Sequence, residues 1–189
     1  MVCITKKCDR NTRPFVLDAR EAIVPTDCEI GKLRSLFSYF QYKSPNIDSI
    51  HSPLLEEAFH DDILQNIMKG NENYHFCAHT SNTDDELKKI ALYGSSVCSK
   101  CKRFFCKRSG SRSKREPNRK ESDLECLLRH LRNSIAHGHV YIAHGGNFIS
   151  VCFEDINTDK KTTARIVCTQ ADLIRWKGIL EKALSNRES

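Results

Sequence analysis

One stretch, residues 121–138, constrains the fold of this chain more than any other. Ser122 is followed three residues later by Glu125, the pattern of a capping box in which hydroxyl and carboxylate each accept a backbone hydrogen bond. Gly138 stands where a left-handed helix end costs little free energy. Between these signals apolar residues recur at helical spacing: Leu124, Leu127, Leu128, Leu131 and Ile135. The stretch therefore predicts an amphipathic helix with one buried stripe.

The other side of this predicted helix is polar. At about 100° per residue, Arg129, Arg132, Asn133 and His137 turn away from the leucine stripe. An arginine and a histidine with four residues between them occur often by chance, and a histidine at a helix C-terminus also favours the helix dipole. Periodicity alone is therefore compatible with an ordinary exposed surface.

The motif itself carries a family resemblance. The run RNSIAH, from Arg132 to His137, is followed by Gly138 and resembles the Arg-x4-to-6-His signature of the HEPN superfamily. These are small helical-bundle proteins, many of them metal-independent ribonucleases of toxin and anti-phage systems. The residue after the arginine is commonly polar in that family, and Asn133 fits. The close resemblance runs from about Ser122 to the C-terminus.

The resemblance implies a metal-independent endoribonuclease. In such a reaction the 2′-hydroxyl of the RNA attacks, leaving a 2′,3′-cyclic phosphate and a 5′-hydroxyl. Histidine suits proton transfer near neutral pH, and the rigid arginine fork matches the oxygens of a phosphorane. We therefore expect Arg132 and His137 to be catalytic, with Asn133 orienting the substrate or the histidine. No cofactor is required for this chemistry.

The resemblance also implies partners. Two such helices meet across a two-fold axis in the family, so we expect a homodimer that pools two Arg–His pairs, with RNA as substrate and an antitoxin or regulatory protein as a further partner. Arg129 shares the polar face and is expected to contact a phosphate. His130 and His139 are expected to be ordinary solvated or hydrogen-bonded histidines without a catalytic role. The alternative function is a non-catalytic HEPN-like module that binds nucleotide, RNA or another protein.

The positive charge of the chain is concentrated in one segment. Residues 98–120 carry ten Lys and Arg and one Glu, a local charge of +9, whereas the remaining 20 basic and 23 acidic residues sum to −3. Serine, glycine and proline are frequent there, so residues 95–120 are predicted to form a flexible loop. Such a loop favours contact with RNA phosphates, although charge runs are often merely solvated. The expected substrate-binding residues of the loop are Arg112, Lys114 and Arg115.

Two metal-like patterns are incomplete. Cys98, Cys101 and Cys106 form C-x2-C-x4-C, but a structural zinc site needs a fourth ligand, for which Cys77, His75 and His79 are the candidates. The alternative is a group of reduced thiols. Asp155, Asn157 and Asp159 imitate the start of a calcium loop, but the glycine and glutamate that such a loop needs are missing. That second pattern predicts only a polar turn.

Nothing in the sequence predicts export or membrane insertion. No apolar run approaches the roughly eighteen residues that a membrane span needs, and the N-terminus lacks the apolar core of a signal peptide. We therefore expect a cytoplasmic protein whose ten cysteines are reduced thiols or metal ligands.

The remaining patterns predict a mainly α fold, a HEPN-like helical bundle with a small antiparallel sheet after the Arg–His helix and a closing C-terminal helix. Residues 1–28 are interpreted as an irregular N-terminal extension and residues 29–189 as the HEPN-like domain. Further helices are predicted over residues 29–42, 53–70, 84–94 and 171–184, a loop over 71–82, and strands over 140–142, 148–153 and 163–168. Thr169 is the expected cap of the last helix.

Overall fold

The computed structural model describes residues 14–16, 22–30, 32–43, 57–69, 73–77, 96–98, 103–107, 121–145 and 148–185. The helices in these ranges are α1 (Leu33–Ser38), α2 (Glu57–Met68), α3 (Asp123–Ala136) and α4 (Gln170–Ser185), and a π-helical turn, Tyr39–Lys43, continues α1. The strands are β1 (Pro14–Val16), β2 (Asn73–Cys77), β3 (Ser96–Cys98), β4 (Arg103–Lys107), β5 (Val140–Gly145), β6 (Phe148–Ile156) and β7 (Thr162–Thr169).

The strands form two sheets. Five strands lie in the order β2-β4-β7-β6-β5, and every neighbouring pair is antiparallel except β2 and β4, which run parallel. β1 and β3 form a separate antiparallel pair. The register of β6 against β7 shifts between Asp155 and Ile156, where an irregularity of this kind re-aims the neighbouring side chains.

The core lies between one face of the five-stranded sheet and the helices. Val151 and Phe153, on the same face of β6, are fully buried. The ring of Phe153 meets that of Phe37 in α1 edge to face, with 5.9 Å between the centroids. Helix α3 packs on β6, and α2 packs on both α3 and α4. The apolar stripe of α3 thus occupies the centre of the molecule.

The two best-defined helix starts confirm their sequence signals. In α3, Glu125 N–H donates to Ser122 Oγ at 3.3 Å and Ser122 N–H donates to Glu125 Oε2 at 2.7 Å, and Gly138 has the positive φ of 71° expected after the helix. In α4, Asp172 N–H donates to Thr169 Oγ1 at 3.2 Å, and Thr169 N–H donates to Asp172 Oδ2 at 3.0 Å. The sequence therefore placed both helix starts within a residue.

The sheet is larger than the sequence indicated, so the fold is mixed α and β, although more of the described residues lie in helices than in strands. The predicted loop over residues 71–82 contains β2, and the predicted flexible loop over 95–120 contributes β3 and β4. β4 is an interior strand because it pairs with β2 on one side and β7 on the other. Basic residues flank the three apolar residues Phe104–Cys106 and gave the segment the composition of a loop. The cysteine of this short apolar run is fully buried.

Part of the predicted N-terminal extension contacts the domain. Ile23 pairs with Val140 at the start of β5, and Cys28 belongs to the core. Residues 22–28 of the predicted extension are therefore packed on the domain. The helix predicted over 84–94 lies outside the described residues. Within the described part of the chain, no helix combines the length and the apolar character needed to cross a membrane.

Candidate active site

Helix α3 separates its two faces as the sequence predicted. The five residues of the apolar stripe are buried: Leu124, Leu127, Leu128, Leu131 and Ile135. On the polar face Arg132 and Asn133 are half-buried and His137 is exposed at the C-cap of the helix. The backbone N–H of His137 donates to the Asn133 carbonyl at 2.9 Å, so these two residues lie one turn apart on the same side. Asn133 and His137 thus lie on the same side of α3, whereas Arg132 lies about 140° from His137 around the helix at 100° per residue.

Arg129 makes hydrogen bonds within the protein. Its Nε lies 2.5 Å from Glu121 Oε1, and its Nη2 donates to Glu121 Oε2 and to the Lys107 carbonyl, both at 3.0 Å. These bonds tie the start of α3 to the end of β4. Two nitrogens of the Arg129 guanidinium are thus engaged inside the protein, and the phosphate contact expected of Arg129 stays a prediction.

His130 takes part in a buried hydrogen-bond network. It is 1 % exposed, with Nδ1 lying 2.6 Å from Asp155 Oδ2 and Nε2 lying 2.8 Å from the Lys107 carbonyl oxygen. A carboxylate and a carbonyl can only accept, which favours a proton on both ring nitrogens. Arg129 Nη2 lies 3.2 Å from Nε2 but makes its shorter bond, at 3.0 Å, to the same Lys107 carbonyl. The buried ring is therefore an imidazolium paired with a carboxylate.

The pKa values of this pair agree with that protonation. Burial acts to lower the pKa of His130, but the hydrogen bond to Asp155 and the interactions with Cys126 together outweigh it and raise the pKa to about 8. Burial acts to raise the pKa of Asp155, but the hydrogen bond and charge of His130 bring it below its ordinary value. Both groups are therefore charged at neutral pH.

Asp155 also holds the polar face of α3. Asn133 Nδ2 donates to Asp155 Oδ2 at 3.1 Å, so one carboxylate oxygen accepts from both His130 and Asn133. The sequence around Asp155 predicted only a polar turn, so its contacts with His130 and Asn133 were not expected. A signal was present: Asp155 follows Val151 and Phe153 at intervals of two and so shares their core-facing side of the strand. A carboxylate in that position requires a buried partner.

Two buried thiols flank the ion pair. Cys106 of β4 and Cys126 of α3 are fully buried free cysteines, and the Cys126 thiol hydrogen-bonds to Cys106 and to His130. Burial raises the pKa of Cys126, so this thiol stays protonated. The described residues contain no group of three potential metal ligands. Cys101 lies outside them, so the zinc hypothesis stays a sequence-based prediction in which Cys106 is now known to face the core.

A second histidine lies beside His137. The ring centroids of His137 and His139 are 6.4 Å apart. The backbone of His139 is fixed on both sides, by donation to the Ser134 carbonyl at 2.9 Å and by acceptance from Glu154 N–H at 3.0 Å. Its Nδ1 is buried and has no hydrogen-bond partner among the described residues. The end of α3 therefore presents two neighbouring imidazoles.

The expected substrate-binding residues Arg112, Lys114 and Arg115 lie outside the described residues. Lys107 and Glu121, which precede and follow their segment, are both hydrogen-bonded to Arg129. The two described residues that flank this segment therefore both lie beside Arg129 of α3.

Comparison with known proteins identifies the family. No curated protein and no solved structure matches the chain. Residues 55–188 match the HEPN pEK499 p136 family. The match covers more than half of the 189 residues and spans α2 to α4, including the whole of α3. The chain therefore belongs to the HEPN pEK499 p136 family of the HEPN superfamily.

Proposed function

We propose that this protein is a metal-independent endoribonuclease that leaves 2′,3′-cyclic phosphate and 5′-hydroxyl ends. The observation that carries the proposal is that Arg132 and Asn133 are half-buried and His137 is exposed on a capped helix whose leucine stripe is buried. A site on such a helix is held rigidly, as transition-state stabilisation requires. Membership in the HEPN superfamily supports an RNA-related activity.

The residues divide the chemistry between them. His137 takes the proton of the ribose 2′-hydroxyl as the 2′-oxygen forms its bond to phosphorus. Arg132 binds the non-bridging oxygens, whose negative charge increases in the phosphorane. The bond from phosphorus to the 5′-oxygen then breaks, and that oxygen takes a proton from a second group. The electrons of the broken bond stay on the leaving oxygen, so no redox partner is needed.

The second proton-transfer group has two candidate sources. In a homodimer with opposed α3 faces, it is His137 of the partner subunit. In a single chain, it is His139, whose ring centroid lies 6.4 Å from that of His137. We propose the dimer, because one chain offers one Arg132 and one His137, and a two-fold axis over α3 joins two such half-sites into one cleft.

The basic segment supplies affinity for RNA in this proposal. Its local charge of +9 attracts phosphates without sequence preference, and Arg129 holds the residues that flank it, Lys107 and Glu121, beside the site. A ribonuclease of low sequence preference suits a toxin or a defence effector, and such an activity needs restraint by an antitoxin or another regulatory protein.

A non-catalytic module is the second candidate. It is favoured by the internal bonds of Arg129 and of the Asn133 amide nitrogen, which leave fewer groups for chemistry than the motif indicated. Arginine and histidine on one face also suit the binding of a nucleotide phosphate without turnover.

The experiment that separates the two candidates is an RNA cleavage assay in EDTA. Purified protein is incubated with end-labelled single-stranded RNA, and the products are treated with a phosphatase and with a kinase to identify their ends. The proposal predicts cyclic phosphate and 5′-hydroxyl ends with the chelator present. Intact RNA that is nevertheless retained by the protein supports the binding module instead.

A further inference from the structure

The side-chain amide of Asn133 has only one chemically consistent orientation. It faces Asp155 Oδ2 at 3.1 Å, and the same oxygen accepts from His130 Nδ1 at 2.6 Å. Because His130 donates to Asp155 from Nδ1 and the pKa of Asp155 is lowered, Asp155 is an ionised carboxylate and offers no proton. The amide can therefore approach it only with the NH2 group, whichever way the two similar ends of an amide are drawn.

The opposite end of the amide then faces outward. Asn133 is half-buried on the polar face of α3. Its Oδ1 is not one of the buried polar atoms that are without a hydrogen-bond partner. Within the described residues Oδ1 accepts no hydrogen bond from the protein. An outward carbonyl oxygen cannot bind a phosphate oxygen, because both are acceptors. It can bind a hydroxyl or an N–H.

We propose that Asp155 is a positioning residue that holds Asn133 as a fixed hydrogen-bond acceptor beside Arg132, directed at a donor of the bound RNA such as the ribose 2′-hydroxyl. This inference rests on the proposed ribonuclease function for its substrate, whereas the orientation of the amide stands on the contacts alone. Arg132 then recognises the phosphate and Asn133 the neighbouring hydroxyl. The two adjacent residues have complementary polarity.

The support behind Asp155 explains why the arrangement is rigid. Asp155 is 5 % exposed, and His130, 1 % exposed, is anchored at its far nitrogen by the Lys107 carbonyl. The Asp155 carbonyl accepts from Thr163 Oγ1 at 3.1 Å. The amide of Asn133 is thus tied to two strands of the sheet through one carboxylate. A side chain locked in this way keeps its orientation when substrate binds.

The isosteric variant Asp155→Asn makes a specific prediction. Without the carboxylate, the buried imidazole becomes neutral, keeps the proton on Nε2 for Lys107 and accepts at Nδ1. The new amide then turns its NH2 towards His130 and therefore also towards Asn133. Two donors cannot face each other, so the Asn133 amide turns over and presents NH2 outward. The acceptor of the site becomes a donor while the shape is unchanged.

Glu154→Gln is the matched control. Glu154 is the neighbouring residue of β6, is also buried, and accepts from Arg165 Nε at 3.0 Å on the other face of the sheet. This variant makes the same chemical change and also breaks a buried ion pair. It leaves the contacts of Asn133 in place. Any change in amide exchange or cleavage rate in this variant is therefore due to lost stability of the fold.

The first measurement needs no activity. The exchange of the Asn133 side-chain NH2 protons with solvent is followed by NMR, with the resonances assigned from the spectrum of Asn133→Ala. We expect slow exchange in the wild type and in Glu154→Gln, and fast exchange in Asp155→Asn. Fast exchange in the wild type, or a neutral His130 ring below about pH 7, overturns the proposal even if Asp155→Asn does not fold.

The second measurement is the rate of RNA cleavage by folded protein. We expect kcat of Asp155→Asn to fall about a hundredfold, with KM changed less than about threefold, and kcat of Glu154→Gln to stay within about twofold of the wild type. Equal losses in both variants, or unchanged kcat in folded Asp155→Asn, contradict the proposal. A wild type that cleaves no RNA, yet shows the expected exchange pattern, refutes the ribonuclease function and leaves the positioning of Asn133 supported.

Discussion

The carbonyl oxygen of Lys107 lies 2.8 Å from Nε2 of the buried His130 ring and accepts a hydrogen bond from it. This bond joins β4, an interior strand of the sheet, to α3, the helix that carries the candidate active site. The other nitrogen of the ring reaches β6 through Asp155. One side chain thus connects three elements behind the polar face, so its charge state affects both stability and the geometry of the site.

The pH dependence of stability should report the charge of His130. An unfolded histidine has a pKa of about 6.5, and the folded-state pKa is raised to about 8. The folded form therefore holds the proton more tightly, and the resulting stabilisation is fully present below about pH 6.5 and is lost as pH rises through 8. A shift of this size corresponds to about 2 kcal/mol.

The other groups around the ring do not titrate in that range. The pKa of Asp155 is lowered, so this group stays ionised. The pKa values of Arg129 and Cys126 are raised, so the guanidinium stays charged and the thiol neutral. Urea unfolding at about pH 6 and about pH 9 measures the effect. The exposed His137→Gln variant should keep this pH dependence and His130→Gln should lose it. A wild type equally stable at both pH values contradicts the assignment.

Helix α3 was predictable because its signals are local. The capping box of Ser122 and Glu125, the leucine stripe and Gly138 lie within eighteen residues, and the structure places the helix at Asp123–Ala136 between them. The same locality made α4 predictable from Thr169. Both helices needed no information from elsewhere in the chain.

The features that the sequence did not reveal depend on distant partners. β4 gains its place by pairing with β7, whose residues come some sixty positions later, as with Phe104 and Ile166. The charged flanks of β4 gave a stronger compositional signal than its three apolar residues. His130 and Asp155 are 25 residues apart, and each looks ordinary in its own segment. Only the sheet register brings them together.

The basic segment should act as a phosphate-binding arm. Replacing Arg112, Lys114 and Arg115 by serine removes three positive charges, so RNA binding should weaken and the slope of log K against log salt should fall by about 2–3. The catalytic step at saturating RNA should change little. The matched control replaces the exposed Lys160, Lys161 and Lys182 by serine, which changes the net charge equally. Titrations at several salt concentrations that give the same slope in both variants and the wild type would show a merely solvated segment.

The oligomeric state should be a two-fold dimer with the Arg132 and His137 faces opposed. The physical reason is that one chain then supplies the proton acceptor and the other the proton donor. Light scattering at micromolar concentration measures the mass. Under this arrangement His139→Gln should retain most cleavage activity, because its ring is not required. A fully active monomer, especially one inactivated by His139→Gln, would assign the second proton-transfer step to His139 and remove the need for the partner.

The most direct test of the ribonuclease proposal compares RNA cleavage by the wild type, Arg132→Ala and His137→Ala in EDTA, with circular dichroism to confirm folding. Neither residue belongs to the buried stripe of α3, so both variants should stay folded while losing most cleavage. Leu128→Ala is the opposite control: it should lower the free energy of unfolding by about 2–5 kcal/mol and leave the folded fraction active. Loss of cleavage in both folded variants is the predicted result. Full cleavage by folded His137→Ala would contradict the ribonuclease assignment.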